Sequence, residues 1–138
     1  MEWTVTDFTP EWRTAGENDQ TDIGNGTLAG VVDDETGEIT ITLEIAENTN
    51  MGQGHWIFRI PDGVANLMFM NPNGKAETTG PDLQQYMALA PLDRFRGFLV
   101  CQGAIDSNAW GATVPYAWEV GSRLKIVYRH RNAATPLW

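Results

Sequence analysis

The sequence is short of the residues from which metal centres and redox sites are usually built. A single cysteine, Cys101, stands among 138 residues, so no intrachain disulfide can form and no set of thiolate ligands exists for a structural metal. Its neighbours Phe98, Leu99 and Val100 mark it as a buried thiol. The two histidines, His55 and His130, fall at strand ends beside aromatic or basic residues and read as structural side chains; two histidines and a carboxylate can hold zinc, but nothing in their spacing favours it. Basic residues are few as well, nine against eighteen acidic ones, for a net charge of −9. A surface of that sign repels a phosphate backbone over most of its area, which argues against nucleic acid as a partner. The late cluster Arg94, Arg96, Arg123, Lys125, Arg129 and Arg131 reads as solvated strand faces.

Long apolar runs are missing too. None approaches the roughly 20 residues needed to cross a bilayer, so membrane insertion is not expected. The opening MEWTVTDF has no basic stretch followed by an apolar one, as a signal peptide would, and synthesis in a cytoplasm is the expectation. There is no GxSxG, no HExxH and no glycine-rich phosphate loop. The acidic groups Asp33-Asp34-Glu35 and Glu44 with Glu47 read as solvated turn and strand residues rather than a glycosidase pair, and they lack the ligand spacing of a calcium loop. No enzyme activity, catalytic residue, cofactor or metal is expected.

Period-2 alternation is what the chain has in quantity. Ile39, Ile41, Leu43 and Ile45 alternate with Glu38, Thr40, Thr42 and Glu44, the pattern of a half-buried antiparallel strand. Trp56, Phe58 and Ile60 repeat it up to Pro61. Leu124, Ile126 and Tyr128 face one way, with Arg123, Lys125, Val127 and Arg129 opposite; placed near the end of the sequence, this reads as a closing strand that seals a sheet. Leu99 and Cys101 alternate with Phe98 and Val100, and Gly97 marks a bulge or close backbone approach. Residues 1–12 alternate loosely until Pro10, as an edge strand does. Thr27 to Val32 is a short strand, and Asp33 to Gly37 a turn whose last glycine takes positive φ. Thr14 to Gly26, Asn48 to Gly54, Asn71 to Gly74 and Asp106 to Val114 read as connections. Val64 to Met70 fits either strand or buried helix. Lys75 to Asp82 is merely polar, and Leu83 to Leu89 suggests one or two helical turns before Pro91. The expected fold is one all-β domain over residues 1–138, an antiparallel β-sandwich or barrel of about seven to nine strands.

Aromatic content supplies the candidate site. Of six tryptophans, Trp56 and Trp118 lie on patterned strands and are expected in the core. Trp110 lies in a loop beside Asp106, Ser107 and Asn108. A loop indole next to short polar side chains is one way to build a shallow sugar site, by stacking and hydrogen bonding. Trp110, Asn108 and Asp106 are therefore the candidate ligand contacts; capping of the sheet end or a subunit contact are the other roles open to Trp110.

Four stations occur in an order that resembles a known family: Phe8-Thr9-Pro10, the IGNGTLAG stretch through Gly24 to Gly30, Gly54 to Pro61 in NMGQGHWIFRIP, and Pro115 to Tyr128 in PYAWEVGSRLKIVY. They resemble the jelly-roll-like β-sandwich domain of tail fibre and receptor-binding (minor tail) proteins of bacteriophages, especially those of actinobacterial hosts. The resemblance spans most of the chain except roughly residues 65–92. Gly121-Ser122 replaces the usual Gly-Asp, and Val31-Val32-Asp33 stands where the family carries an arginine- or tyrosine-rich strand end. The resemblance implies a homotrimeric virion protein, made in the host cytoplasm, with other virion proteins and a host cell-surface saccharide as partners. Apolar residues on both strand faces (Phe98, Val100, Val127) suit assembly. With no coiled-coil or fibrous stalk in the sequence, the chain reads as a domain of a longer fibre or a small free-standing virion protein. A capsid decoration trimer and a carbohydrate-binding module are the alternatives.

Overall fold

The alternating aliphatics around Ile41 and Ile126 build the centre of the molecule. The computed structural model describes residues 5–14, 23–52, 54–68, 73–93, 97–104 and 108–129. Within them run strands β1 (Val5–Phe8), β2 (Glu11–Thr14), β3 (Thr27–Asp33), β4 (Glu38–Glu44) and β5 (Trp56–Arg59), then helix α1 (Asp62–Met68). Strands β6 (Asn73–Thr79), β7 (Gln85–Asp93), β8 (Phe98–Leu99), β9 (Gln102–Gly103) and β10 (Arg123–Arg129) follow. All pairings between them are antiparallel, in the order β1-β3-β4-β10-β6-β7-β8-β5-β2 with β9 on β7.

The fold is thus all-β and antiparallel, in one curled sheet. Two features force the curl. Strand β7 pairs with β6 from Gln85 to Pro91 and with β8 at Leu92 and Asp93, so it belongs to two wings and carries the bend between them. Strands β1 and β2 stand at opposite ends of the order, yet only Thr9 and Pro10 separate them. Three Cα steps reach at most about 11 Å, so the two edges of the sheet come together at Pro10. The edge strand ending near Pro10 follows the sequence expectation.

The β3-β4 and β4-β10 pairings are in full register, with Ile41 opposite both Gly30 and Ile126. Ile39, Ile41, Leu43, Leu124, Ile126 and Tyr128 are buried on the inner face with Trp12, Trp56, Phe58, Trp110 and Trp118, in one contiguous core. Side chains of the outer face form exposed cross-strand ion pairs, Arg129 Nη2 with Glu38 Oε1 at 3.1 Å and Arg123 Nε with Glu44 Oε1 at 3.4 Å. At the β3-β4 hairpin, Asp33 Oδ1 accepts the amides of Glu35 and Thr36, and Gly37 takes φ 73° while its amide donates to the Asp33 carbonyl.

Several expectations are corrected. Strand β10 does not close the sheet at an edge; it is central, between β4 and β6. Of the two readings open for the stretch from Val64, the helix holds as far as Met68. The polar run from Lys75 is strand β6, and the stretch expected to hold helical turns before Pro91 is strand β7, which runs through that proline. Both were obscured because their inward residues are small: Gly74, Ala76 and Thr78 on β6, Ala88 and Ala90 on β7. The room they leave is taken by Tyr128. Its ring crosses Gly74, where a Cβ would lie 2.5 Å from the ring carbon Cζ, and its hydroxyl donates to the Ala90 carbonyl on the strand beyond. Phe8 covers Gly30 in the same manner from the neighbouring strand. An aromatic ring laid over a cross-strand glycine restores the packing that the missing side chain forgoes.

Of the two readings for Gly97, a strand bulge is not found and a close backbone approach is: an added Cβ would lie 3.3 Å from the Ile60 carbonyl oxygen. Gly97 sits in the turn from β7 to β8 with φ 70°, donates to the Asp93 carbonyl at 2.8 Å and accepts from the Ile60 amide at 2.8 Å. The expectations for Trp3, Thr4, Phe69 to Pro72, Arg94 to Arg96, His130 and Arg131, and for most of the Thr14 to Gly26 connection, fall outside the described residues.

Candidate functional site: a groove along strand β7

The tryptophan singled out in the sequence is held by backbone bonds on both sides. Residues 108–114 do form a connection, but it is laid into the sheet. The Trp110 amide donates to the Cys101 carbonyl at 2.8 Å, and the Trp110 carbonyl accepts from the Trp56 amide at 2.9 Å. Isolated bridges join Ala109 to Gln102 and Gly111 to His55. Trp110 is consequently 2% exposed and packs edge-on against Trp118, with ring centroids 6.2 Å apart. Of its expected companions, Asn108 is exposed and its carbonyl accepts the Gly103 amide at 2.9 Å. Asp106 and Ser107 lie outside the described residues. Loop composition could not reveal this burial, because neither the polar flanks nor Gly111 encode the strand partners on either side.

From Trp118 the rings continue in both directions. Inward, Trp118 meets Trp56 at 4.7 Å, Trp56 meets Trp12 at 5.0 Å, and Trp12 meets Phe58 at 5.7 Å. The indole N–H groups of Trp12, Trp56 and Trp118 donate to the carbonyls of Asn50, Met51 and Val114 at 3.0–3.1 Å. These are the partners that buried indoles need. Outward, Trp118 stacks on Tyr116 at 5.0 Å and 22°, and Tyr116 stacks on Tyr86 at 5.6 Å and 16°. The Tyr116 hydroxyl lies 3.0 Å from the Thr78 hydroxyl, which donates to the Arg123 carbonyl at 2.6 Å. Tyr86, on β7, is the end of this series and is 41% exposed.

A groove of about 490 Å³ opens beside it, lined by Gln85, Tyr86, Met87, Gly103, Ala104, Trp110 and Pro115. Its size is within the usual range of small-ligand sites, about 300–1,000 Å³. Buried Trp110 forms its floor, and Tyr86 and Met87, which face opposite sides of β7, meet it at the strand's edge. The sequence signal for Tyr86 was weak: it lies in the stretch expected to be helical, where it had no assigned face.

The outer side of β7 is also unusual. Met87 is 62% and Leu89 56% exposed, and Leu83, at the turn into the strand, is 79% exposed with φ 66°. A β-branched or bulky residue in the left-handed region is rare. By contrast Phe98, Val100 and Val127, the apolar residues expected to seek a partner, are partly buried. Phe98 lies under the guanidinium groups of Arg13 and Arg59, each 5.9 Å from the ring centroid. Among the described residues the exposed large apolar side chains gather along β7 and the turn into it, with Val5, Leu67 and Val120 exposed elsewhere, rather than on β8 and β10.

Ionisable groups add little to the site. Burial pushes the Cys101 thiol up to about 12. The Tyr128 hydroxyl is raised for the same reason, with nearby Cys101 adding to it. Both lie in the core, away from the groove lining. Among the described residues, no group of three or more His, Cys, Asp or Glu is placed to hold a metal, and no helix is long and apolar enough to cross a membrane. Comparison of the chain with protein-family models, with curated proteins and with solved structures returned no match.

Proposed function

We propose that the chain is a bacteriophage virion protein of the tail fibre and receptor-binding kind, which attaches to saccharide on the host cell surface. In this reading the curled sheet acts as a jelly-roll-like β-sandwich and three copies pack as a homotrimer alongside other virion proteins. The observation that carries the binding role is the groove on β7, whose wall is an aromatic ring half open to solvent and backed by buried rings. Shallow sites of this kind bind weakly one at a time; repeated on a trimer and on many fibres, they give avidity. The exposed apolar side chains along β7, Leu83, Met87 and Leu89, support assembly, since apolar surface left in water is costly.

The test uses fluorophore-labelled protein on actinobacterial cells. Staining at micromolar protein is expected, and Tyr86→Ala should remove it. Unstained cells across a panel of such hosts would sink the attachment role, and a monomer by light scattering at tens of micromolar would sink the trimer.

A capsid decoration trimer is the second reading, favoured by those apolar side chains, which suit packing against a virion shell as well as against another copy. It requires copy numbers comparable with the major capsid protein. A third, a cellular carbohydrate-binding module, shares the groove but predicts no virion incorporation.

A further inference from the structure

The geometry points to a neutral saccharide as the ligand of the β7 groove, with Tyr86 as its stacking platform and anionic glycopolymers refused. This rests on the proposal that the groove binds saccharide, and it narrows that proposal to a ligand class and a residue. Tyr86 stacks on Tyr116, and the 41% of it left exposed includes surface that lines the groove. Behind it Tyr116 is fixed twice, by its stack on buried Trp118 and by its hydroxyl contact with Thr78. A ring so backed loses little freedom on binding, which favours affinity from a small contact. The face of an aromatic ring carries the negative side of its quadrupole, which attracts the C–H groups on the apolar face of a pyranose. Exposed Gln85 beside it supplies an amide that both donates and accepts, as sugar hydroxyls require.

Charge decides the class. The described lining contains no ionised side chain. A carboxylate or phosphate entering it would shed water without meeting a counter-charge among the described lining, and would approach a chain of net charge −9. Neutral sugars incur neither cost. Trp110 at the floor provides the reporter, because an indole beside a bound sugar changes its emission.

The experiment titrates the full chain with cellotetraose, mannotetraose and chitotetraose, and with tetragalacturonate as the anionic probe, reading tryptophan fluorescence and calorimetry. At least one neutral tetrasaccharide is expected to saturate. Tyr86→Ala should weaken it by about tenfold or more, and Leu89→Asp, on the outer side of the strand, should leave it unchanged. Tetragalacturonate should give no signal over the same range. If Tyr86→Ala fails to fold, Tyr86→Leu keeps the bulk, removes the ring and reads the same contact. Tetragalacturonate binding as tightly as the neutral sugars would overturn the inference. So would neutral binding indifferent to Tyr86, no neutral binding at millimolar concentration, or a Tyr86 variant that alters molecular mass instead of sugar binding. Cells stained by the protein but not competed by any neutral tetrasaccharide would remove this inference and leave host attachment standing. Neutral sugars bound by a protein that stains no cells would do the reverse.

Discussion

Strands β4 and β10 meet in the middle of the sheet, and beside them β6 and β7 meet in the same sheet, yet the two pairs are built on opposite plans. The first buries Ile39, Ile41, Leu43, Leu124 and Ile126, large side chains from both partners. The second buries Gly74, Ala76, Thr78, Ala88 and Ala90, and its volume is filled by Tyr128 reaching across from β10. On the first pair the outer face is charged and ion-paired; on the second Met87 and Leu89 stand exposed opposite Glu77 and Lys75. One pair holds the molecule together from within, and the other spends its large apolar side chains on the surface. In the proposed assembly, the large side chains turned outward on β7 are the surface that makes the contact.

The largest effect expected from breaking that contrast is in the aliphatic pair. Ile126→Ala removes a fully buried side chain in close-packed surroundings and should cost about 2–5 kcal/mol in urea unfolding. Leu89→Ala on β7 should stay within about 0.5 kcal/mol, being exposed. Next is Gly74→Val. The new side chain would meet the Tyr128 ring, and overpacking of this kind costs about 1–3 kcal/mol; pairing it with Tyr128→Ala should recover part of the loss, measured as a double-mutant cycle. Tyr128→Phe keeps the ring over Gly74 and deletes only the bond to the Ala90 carbonyl, so a loss of about 1–2 kcal/mol is expected. A neutral result would mean that the ring alone supports the small-residue pair.

The smallest effect at neutral pH belongs to Cys101, which lies fully buried beyond β8. Its thiol is raised to about 12 from an ordinary 9.0 by burial. The folded chain therefore keeps its proton where the unfolded chain releases one. The stabilising contribution is whole below pH 9 and falls as pH rises toward 12, with a slope approaching about 1.4 kcal/mol per pH unit from this group. Unfolding midpoints followed from pH 7 to pH 11 should show that decline; Cys101→Ala should flatten it between pH 9 and pH 10 and leave the part that Tyr128, raised by the same burial, adds above pH 10. Equal slopes in the two proteins would contradict the assignment.

The same contrast explains what could be read from residues alone. Alternating aliphatics fix both element and face, so β4, β5 and β10 were legible with their inward residues, as were the Asp33 to Gly37 turn, the core positions of Trp56 and Trp118, and buried Cys101. Strands whose inner face is glycine, alanine and threonine carry no hydrophobic period, and β6 and β7 were missed because the side chain that completes them comes from residue 128. The central place of β10 was hidden for a related reason: pairing order is a long-range property, and sequence position suggested an edge. For the site, the loop around Trp110 was the right neighbourhood, since it floors the groove. The exposed ring was not identified, because Tyr86 emerges only when β7 is known to be a strand and Tyr116 is seen behind it.

Hydrogen exchange with and without a saturating neutral tetrasaccharide tests the central claim most directly, since it maps the contact without any substitution. The account predicts added protection confined to the amides of residues 85–87, 103–104, 110–114 and 116, with β4 and β10 unchanged. Protection centred instead on residues 38–44 and 123–129, the charged face of the aliphatic pair, would contradict it.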